Sequence, residues 1–272
     1  MSSFVSSSYS KELEILSKAA KKASVELLAL VETGFKKTYK KSDDPVTTGD
    51  LLVNTILQEE LFSNFPEIAI LSEETKDNHE RLANDKVWII DPIDGTKEFV
   101  EQIPDYSISV ALVEKGISKV GLILNPMKNE LFTAVKGEGA FLNGEPIHVK
   151  TEMDNKLIFL ASRSEIKRGE WDIFEDVAEV LPTGSIAYKL ALIAAGEADA
   201  TFSLGPKNEW DIASGCLLIE EAGGIASDTY GQSFIFNQKN TLVNSIVGTS
   251  KVASKKVFEL INQKRKYYVR KQ

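Results

Sequence analysis

The chain has 272 residues, which is enough for one large domain or two small ones with a well-developed core. Its hydrophobic content of 43% and charged content of 26% are typical of a globular protein. The formal net charge of −8 argues against binding to a nucleic acid polymer, because such binding depends on basic residues that contact phosphates. The single cysteine, Cys216, excludes an intrachain disulfide and fits a reducing compartment, and two histidines argue against a His-based zinc site.

The sequence carries no membrane or secretion signal that we recognise. No apolar run reaches the roughly 18 residues that a membrane span needs. The first 14 residues have neither a basic region nor an apolar stretch of the kind that opens a secretory signal. We therefore expect a cytoplasmic protein without a membrane partner.

Apolar spacing predicts two amphipathic helices in the N-terminal half, over residues 12–33 and 48–63, with Gly34 ending the first. Short apolar runs at 68–71 and 87–91 predict strands. A β-rich region follows, in which turn residues separate three further strands at 108–112, 120–124 and 131–135.

After about residue 150 the pattern changes to alternating strands and helices. We predict strands at 157–161, 200–203 and 225–227, and helices at 185–195, 211–222 and 250–264. Such alternation is typical of a more parallel α/β arrangement. We therefore divide the chain into an N-terminal α+β sub-domain, 1–152, and a C-terminal α/β sub-domain, 153–272.

One segment, from Trp88 to Thr96, is the most informative. Its apolar start predicts a buried strand that ends at Asp91, where α/β folds place their chemistry. A second carboxylate, Asp94, follows three residues later. Two carboxylates this close repel each other and raise a pKa unless a cation lies between them. Mg²⁺ prefers carboxylate oxygens and substrate phosphates, so the segment predicts a magnesium site.

Acidic residues stand at the ends of four predicted elements. A single carboxylate is more often solvated than a ligand, so the prediction depends on their shared placement. Several carboxylates that meet at strand and helix ends can hold the two or three metal ions used in phosphate ester hydrolysis. The four positions are Asp50, the pair Glu73 and Glu74, the pair Asp91 and Asp94, and Asp211.

The spacing of Asp91 and Asp94 separates this chain from phosphatases of the haloacid dehalogenase type. Those enzymes carry Asp-x-Asp-Gly-Thr, with an aspartyl nucleophile and an acid two residues later. Here Pro92 and Ile93 both intervene. The extra residue favours a metal-bridging pair over a covalent nucleophile.

Four motifs, taken in order, resemble those of the inositol monophosphatase superfamily of Mg²⁺-dependent, lithium-sensitive phosphatases. The resemblance covers nearly the whole chain. It implies an α/β (α+β) fold, a layered α-β-α-β-α sandwich, with the metal site in the cleft between two sub-domains. The motifs lie at residues 41–50, at Leu71-Ser72-Glu73-Glu74, at 91–96, and at 210–215 with 221–224.

The resemblance also implies the metal ligands. The first Mg²⁺ would be held by Glu73, Asp91 and the carbonyl of Ile93, and the second by Asp91, Asp94 and Asp211. Glu73 would also hold a third, weaker ion, with Glu74 nearby. We therefore expect two or three Mg²⁺ ions in each active site.

Three further positions receive catalytic or phosphate-binding roles from the same resemblance. Thr96 would orient the attacking water, and Asp50 would accept the hydroxyl proton of Thr96. Glu73 would also be a catalytic residue. The amides of Gly95 and Thr96 would bind phosphate, as free backbone donors at a helix start do.

The residues around Lys97, Ser185 and Glu209 resemble the 3′(2′),5′-bisphosphate nucleotidase branch. In that interpretation the substrate is adenosine 3′,5′-bisphosphate, a by-product of sulfate transfer, and the products are AMP and phosphate. Ser185 and Lys189 lie four apart on one helical face and would hold the second phosphate. Glu209 could hydrogen-bond a sugar hydroxyl whether the substrate is this nucleotide or an inositol phosphate.

Two alternatives stay open. Residues 125–144 resemble the inositol phosphatases, so the substrate could be an inositol phosphate. A silent nucleotide-binding regulator on the same fold is a third hypothesis. The assembly, a monomer or a homodimer, is linked to the substrate, because inositol phosphatases are usually dimers and many nucleotidases are monomers.

Overall fold

The computed structural model describes residues 9–41 and 44–271. Ser42 and Asp43, which belong to the first motif, lie outside the described residues, as do the side chains at 40, 41, 44 and 264–271. Among the described residues, no helix combines the length and the apolar character that a membrane crossing requires.

Two long helices form the first layer, α1 (Ser10–Thr33) and α2 (Thr48–Asn64). As predicted, Gly34 follows α1, and its N–H donates to the Leu30 carbonyl. A short hairpin, β1 (Lys37–Lys41) and β2 (Asp44–Thr47), connects the helices. A reciprocal pair of hydrogen bonds between Thr47 and Asp50 caps the start of α2.

A seven-stranded sheet forms the second layer, and its strands follow one another in chain order. Each neighbouring pair is antiparallel except the first two strands, which are parallel. A short helix, α3 (Thr96–Val100), follows the second of these strands. The strands are β3 (Ala69–Ser72), β4 (Lys86–Asp94), β5 (Ser107–Glu114), β6 (Ile117–Asn125), β7 (Glu130–Val135), β8 (Gly139–Leu142) and β9 (Glu145–Ile147).

The C-terminal half contains a five-stranded sheet. Its strands are β10 (Leu157–Ala161), β11 (Ala178–Pro182), β12 (Ala200–Ser203), β14 (Ile225–Ser227) and β16 (Ile246–Thr249). Their order across the sheet is β11-β10-β12-β16-β14. A two-stranded sheet joins β13 (Lys207–Asn208) to β15 (Leu242–Val243). The helices are α4 (Arg163–Lys167), α5 (Ile186–Ala194), α6 (Glu209–Glu221) and α7 (Lys251–Lys271).

Successive residues of β4 point to opposite faces of the seven-stranded sheet and so belong to different cores. Trp88 and Ile90 pack with α1 and α2, whereas Val87 and Ile89 pack with α5 and α6. A third cluster of buried apolar residues lies between the five-stranded sheet and α7. The layers are therefore α-β-α-β-α, as the family resemblance implied.

The prediction of a parallel C-terminal half was only partly right. Strand β10 is parallel to β11 and to β12, but β16 is antiparallel to both β12 and β14. The reversal comes from β16, a buried four-residue strand that the sequence pattern did not identify. The division of the chain at residue 152 stays a prediction, and residues from both sides of it share one core.

Candidate active site

A cavity of about 460 Å³ opens where β4, α3, α5 and α6 meet, and we call it the central cavity. Residues from both predicted sub-domains line it. Those on its acidic side are Glu73, Asp91, Ile93, Asp94, Gly95, Thr96 and Asp211. The remaining charged and polar residues that line it include Lys97, Glu98, Ser164, Glu165, Arg168, Ser185, Lys189 and Lys207.

A bulge at the end of β4 brings Asp91 and Asp94 together. Asp91 pairs with Ser109 of β5 and Asp94 pairs with Ser107, so three steps along β4 oppose two steps along β5. Without the extra residue, side chains three apart on a strand would point to opposite faces. The bulge at Pro92 and Ile93 is therefore what turns both carboxylates toward one site.

Asp211 reaches the same site from the start of α6. Its side chain accepts the backbone N–H of Asn208 at 2.8 Å, which closes a capping box and fixes the carboxylate. Asp91, Asp94 and Asp211 each place a carboxylate oxygen within 4.8 Å of the others. The chain segments that carry them are far apart in sequence, so this convergence depends on the tertiary fold.

Burial raises the pKa values of all three carboxyl groups, and repulsion by neighbouring carboxylates adds to this for Asp91 and Asp211. The pKa of Asp91, which is 1% exposed, lies well above its ordinary value because of burial and then the charges of Glu73, Asp94 and Asp211. The same causes, with burial first and the Asp94 charge second, raise the pKa of Asp211 to about 8. Burial also raises the pKa of Asp94.

These residues fit a divalent cation. Among the described residues, Asp91 Oδ1 is buried and has no hydrogen-bond partner, and a buried carboxylate oxygen without a partner is costly. A cation between the carboxylates would satisfy that oxygen and remove the repulsion. The all-oxygen donor set suits Mg²⁺.

Asp50 and Thr96 meet beside the acidic cluster. Thr96 Oγ1 lies 3.2 Å from Asp50 Oδ1 and 3.1 Å from the Ile93 carbonyl oxygen. The other Asp50 oxygen accepts both the N–H and the hydroxyl of Thr47 at 2.6 Å. Burial is the main reason that the pKa of Asp50 is raised. The predicted catalytic pair is thus in hydrogen-bond contact.

Gly95 allows the chain to turn sharply from β4 into α3. Its φ of +94° favours glycine, and a Cβ there would lie 3.2 Å from the Asp105 carbonyl oxygen. This close approach places the start of α3 at the central cavity. The prediction that the Gly95 and Thr96 amides bind phosphate stays a prediction.

The two glutamates after β3 differ in position. Glu73 lines the central cavity, and its N–H donates to the Ile90 carbonyl at 3.2 Å, which holds the segment beside β4. Glu74 is not among the residues that line the cavity. Its N–H donates to the Ser72 hydroxyl, which in turn donates to Asn54 at 2.6 Å. The ligand role of Glu74 stays a prediction.

Ser185 and Lys189 both line the central cavity, but their polar groups are used differently. The Ser185 hydroxyl donates to Asp94 Oδ2 at 2.6 Å. Lys189 is buried, with 6% of its surface exposed, and burial lowers its pKa. The charges of Glu165 and Asp94 oppose this effect on the Lys189 pKa. A lysine held this way is unlike the solvated lysine that a helix surface usually carries.

Glu209 lies outside the cavity lining. Its two carboxylate oxygens accept the N–H groups of Asn237 and Gln238 at 2.6 and 2.8 Å. Arg81 holds the same loop by donating to Asn237 Oδ1 and the Gln238 carbonyl. The proposed contact of Glu209 with a sugar hydroxyl stays a prediction, and its observed bonds all stabilise this loop.

Sequence reasoning missed Ser107, whose hydroxyl is 3.0 Å from that of Ser185. It also missed Glu165 and Arg168 as residues of the central cavity. The only available signal for Ser107 was its position on the strand that follows the acidic motif, and that signal does not single it out.

A sequence model of the Inositol monophosphatase family matches residues 8–268. The chain therefore belongs to the inositol monophosphatase family, and it is a phosphatase of that family. This confirms the predicted superfamily, whereas the predicted nucleotidase branch is not confirmed.

Individual relatives agree with this placement. The Nus factor SuhB of Escherichia coli strain K12 is 35% identical over 230 residues, which cover 80% of this chain and 85% of the relative. The solved Thermotoga maritima IMPase is 28% identical with a TM-score of 0.82, covering 94% of this chain and 99% of that chain.

A further solved structure, an IMPase/NADP phosphatase complexed with Mg²⁺ and phosphate, shares the fold. Its TM-score is 0.82 at 21% identity, and the match covers 93% of this chain and 94% of that chain. Proteins of this family use Mg²⁺, and the acidic cluster of this chain could bind it.

Proposed function

We propose that the protein is a Mg²⁺-dependent phosphomonoesterase that hydrolyses a small phosphorylated substrate with a metal-activated water. The observation that carries this proposal is the convergence of Asp91, Asp94 and Asp211, in which Asp91 also has a buried oxygen, Oδ1, with no hydrogen-bond partner among the described residues. Carboxylates this close repel one another unless a cation lies between them, so their arrangement points to metal chemistry.

The metal ligands would be Asp91, Asp94 and Asp211, joined by Glu73 and the Ile93 carbonyl. When bound, Mg²⁺ would lower the pKa of a coordinated water and offset the charge of the phosphoryl oxygens. The carboxylates of this chain would hold the cation at a partly buried position, where water competes less for the ligand oxygens. The ligand set is sufficient for two ions, and a third would rest on Glu73.

Asp50 and Thr96 would move the proton. The Thr96 hydroxyl donates to Asp50 or to the Ile93 carbonyl, so its lone pairs can accept a hydrogen bond from the attacking water. Burial raises the pKa of Asp50, which makes its carboxylate a stronger base. Thr96 would orient the water, and Asp50 would receive its proton through the hydroxyl.

An inositol phosphate is the first substrate candidate. The Thermotoga maritima protein that shares the fold over 94% of this chain is an IMPase. The family model that covers residues 8–268 carries the same name. These likenesses support the inositol phosphatase interpretation better than the nucleotidase interpretation that the motifs around Lys97 and Ser185 suggested.

Adenosine 3′,5′-bisphosphate is the second candidate, and the observation that favours it is the surroundings of Lys189. This buried ammonium faces the central cavity, which Lys207 and Arg168 also line. A substrate with one phosphate would be held by the metal site, whereas a second phosphate would need cations at a distance from it. The cationic side of the central cavity could supply them.

The test is phosphate release from inositol 1-phosphate and from adenosine 3′,5′-bisphosphate, with kcat/KM measured for both at saturating Mg²⁺. A ratio that favours the inositol ester supports the first candidate, and a ratio that favours the nucleotide supports the second. Metal binding without release from any small phosphate ester would instead support the silent-regulator hypothesis.

A further inference from the structure

Asp94 is held by the start of α5 through one of its two carboxylate oxygens. Asp94 Oδ2 accepts the Ser185 hydroxyl at 2.6 Å and the Ala187 N–H at 2.6 Å. Hydrogen bonds to a charged carboxylate are the stronger kind and fix its orientation. The two donors leave the other oxygen of Asp94 available to a cation shared with Asp91 and Asp211.

Ser185 is itself fixed by two further hydrogen bonds. Its oxygen accepts the Tyr188 N–H at 2.9 Å, which caps the start of α5, and it lies 3.0 Å from the Ser107 hydroxyl oxygen. The Ser185 hydroxyl has one proton, and that proton is directed to Asp94. The Ser107 hydroxyl must therefore donate to Ser185, which gives a chain from Ser107 through Ser185 to Asp94.

The register of the sheet explains why Ser107 lies close to Asp94 and Ser185. Ser107 is fully buried and is the strand neighbour of Asp94 across β4 and β5. The bulge that turns Asp94 toward the acidic cluster thus also places it next to Ser107. A chain of hydroxyl donors polarises along its length, so Ser107 strengthens the bond from Ser185 to Asp94.

We propose that Ser185 and Ser107 are positioning residues for metal binding: they orient Asp94 for the cation and make no contact with substrate. The proposal rests on the proposed function, since it requires a cation at Asp94. It assigns Ser185 a different role from the phosphate-binding one that the motif suggested. A hydroxyl that donates to Asp94 has no second proton for a phosphate oxygen.

Metal affinity, measured without substrate, tests this proposal. Isothermal titration of Mg²⁺ into the full chain is compared for wild type, Ser185→Ala and Ser107→Ala. Removal of a hydrogen-bond partner of a metal ligand weakens metal binding by about 10- to 100-fold, so we expect Ser185→Ala to fall in that range. Ser107→Ala, which acts through Ser185, is expected to shift affinity in the same direction by a smaller factor.

Ser245→Ala is the matched control. Ser245 is a buried serine whose hydroxyl bonds to Thr229 and which does not line the central cavity. Its removal deletes a buried hydroxyl but leaves Asp94 untouched, so its Mg²⁺ affinity is expected to equal that of wild type.

A kinetic comparison separates positioning from substrate binding. At saturating Mg²⁺, Ser185→Ala is expected to keep the substrate KM of wild type, while the Mg²⁺ concentration that gives half-maximal rate rises. An unchanged Mg²⁺ affinity together with a raised substrate KM would overturn the proposal and restore the phosphate-binding role of Ser185.

A folding defect in Ser185→Ala and a failure of wild type to bind Mg²⁺ have different consequences for the proposal. If Ser185→Ala unfolds because the cap of α5 is lost, Ser107→Ala decides the question, since it leaves the cap intact, and a wild-type affinity in that variant overturns the proposal. If wild type itself binds no Mg²⁺, the proposed function fails first. If wild type binds Mg²⁺ and both variants bind it equally well, only the positioning proposal fails.

Discussion

The Thr96 hydroxyl oxygen lies 3.2 Å from Asp50 Oδ1, which joins the start of α3 to the start of α2 across 46 positions of the chain. Neither residue belongs to the converged trio of Asp91, Asp94 and Asp211. The pair therefore offers a way to impair proton transfer while the three carboxylates stay intact.

Replacing Asp50 with Asn is expected to lower kcat by about 10²- to 10⁴-fold, the usual contribution of a general base. Asn keeps the side-chain shape, and its amide oxygen can still accept the bonds from Thr47 that cap α2. Steady-state kinetics with Mg²⁺ titration would check this. A variant that loses Mg²⁺ affinity but keeps its kcat at saturating metal would contradict the proton-transfer role.

Replacing Asp91 with Asn is expected to abolish turnover and to stabilise the metal-free protein. The substitution removes one of three converging acidic groups, and the repulsion among them falls. The unfolding temperature in EDTA should therefore rise above that of wild type. In wild type, Mg²⁺ at about 100 times Kd is expected to add about 2.7 kcal/mol to the free energy of unfolding, and this gain should be absent from the variant.

Asp94→Asn gives a companion measurement at the same site. It should also lose turnover while the protein remains folded, since Asn can still accept from Ser185 and the Ala187 N–H. Retention of full activity in Asp94→Asn would contradict its assignment as a metal ligand.

The stability of the metal-free protein should fall as pH rises. The pKa of Asp211 is raised to about 8 in the folded chain, whereas its ordinary value, expected in the unfolded chain, is 3.8. Between these values the folded state binds more protons, so the free energy of unfolding declines as pH increases. The raised pKa values of Asp91 and Asp94 act in the same direction.

Thermal unfolding across that pH window, in EDTA and in saturating Mg²⁺, measures this effect. Bound Mg²⁺ replaces the protons, and the decline with pH should be smaller or reversed. An unfolding temperature in EDTA that stays constant or rises between about pH 5 and 8 would show that the acidic cluster is not protonated in the folded state.

Lys189→Ala distinguishes the two substrate candidates. Loss of one charge-assisted contact with a second phosphate would cost about 1.5–3 kcal/mol, which is roughly 10- to 100-fold in KM. That increase is expected for adenosine 3′,5′-bisphosphate and not for inositol 1-phosphate. Equal effects on both esters would remove Lys189 from a second-phosphate site. Lys97→Ala is a useful comparison, since Lys97 lines the same cavity but is exposed.

Much of the candidate site could be predicted from the local sequence. The apolar run before Asp91 and the helix predicted over 211–222 place both carboxylates at the ends of regular elements, and the structure brings them within 4.8 Å. The bulge between Asp91 and Asp94 was not predictable, because it depends on the register with β5.

Two further features depend on tertiary structure that periodicity does not specify. Lys189 is buried because α5 lies between the two large sheets, and a lysine on a helix would otherwise be expected at the surface. Strand β16 is a short run that includes a glycine, and it becomes recognisable only when β12 and β14 pair with it.

Metal-dependent hydrolysis is tested most directly by phosphate release from inositol 1-phosphate and adenosine 3′,5′-bisphosphate, measured for wild type and Asp91→Asn with and without Mg²⁺. We expect wild type to release phosphate from at least one of the two esters only when Mg²⁺ is present, and Asp91→Asn to release none. Release that persists in EDTA, or that survives in Asp91→Asn, would contradict hydrolysis by a metal held between these carboxylates.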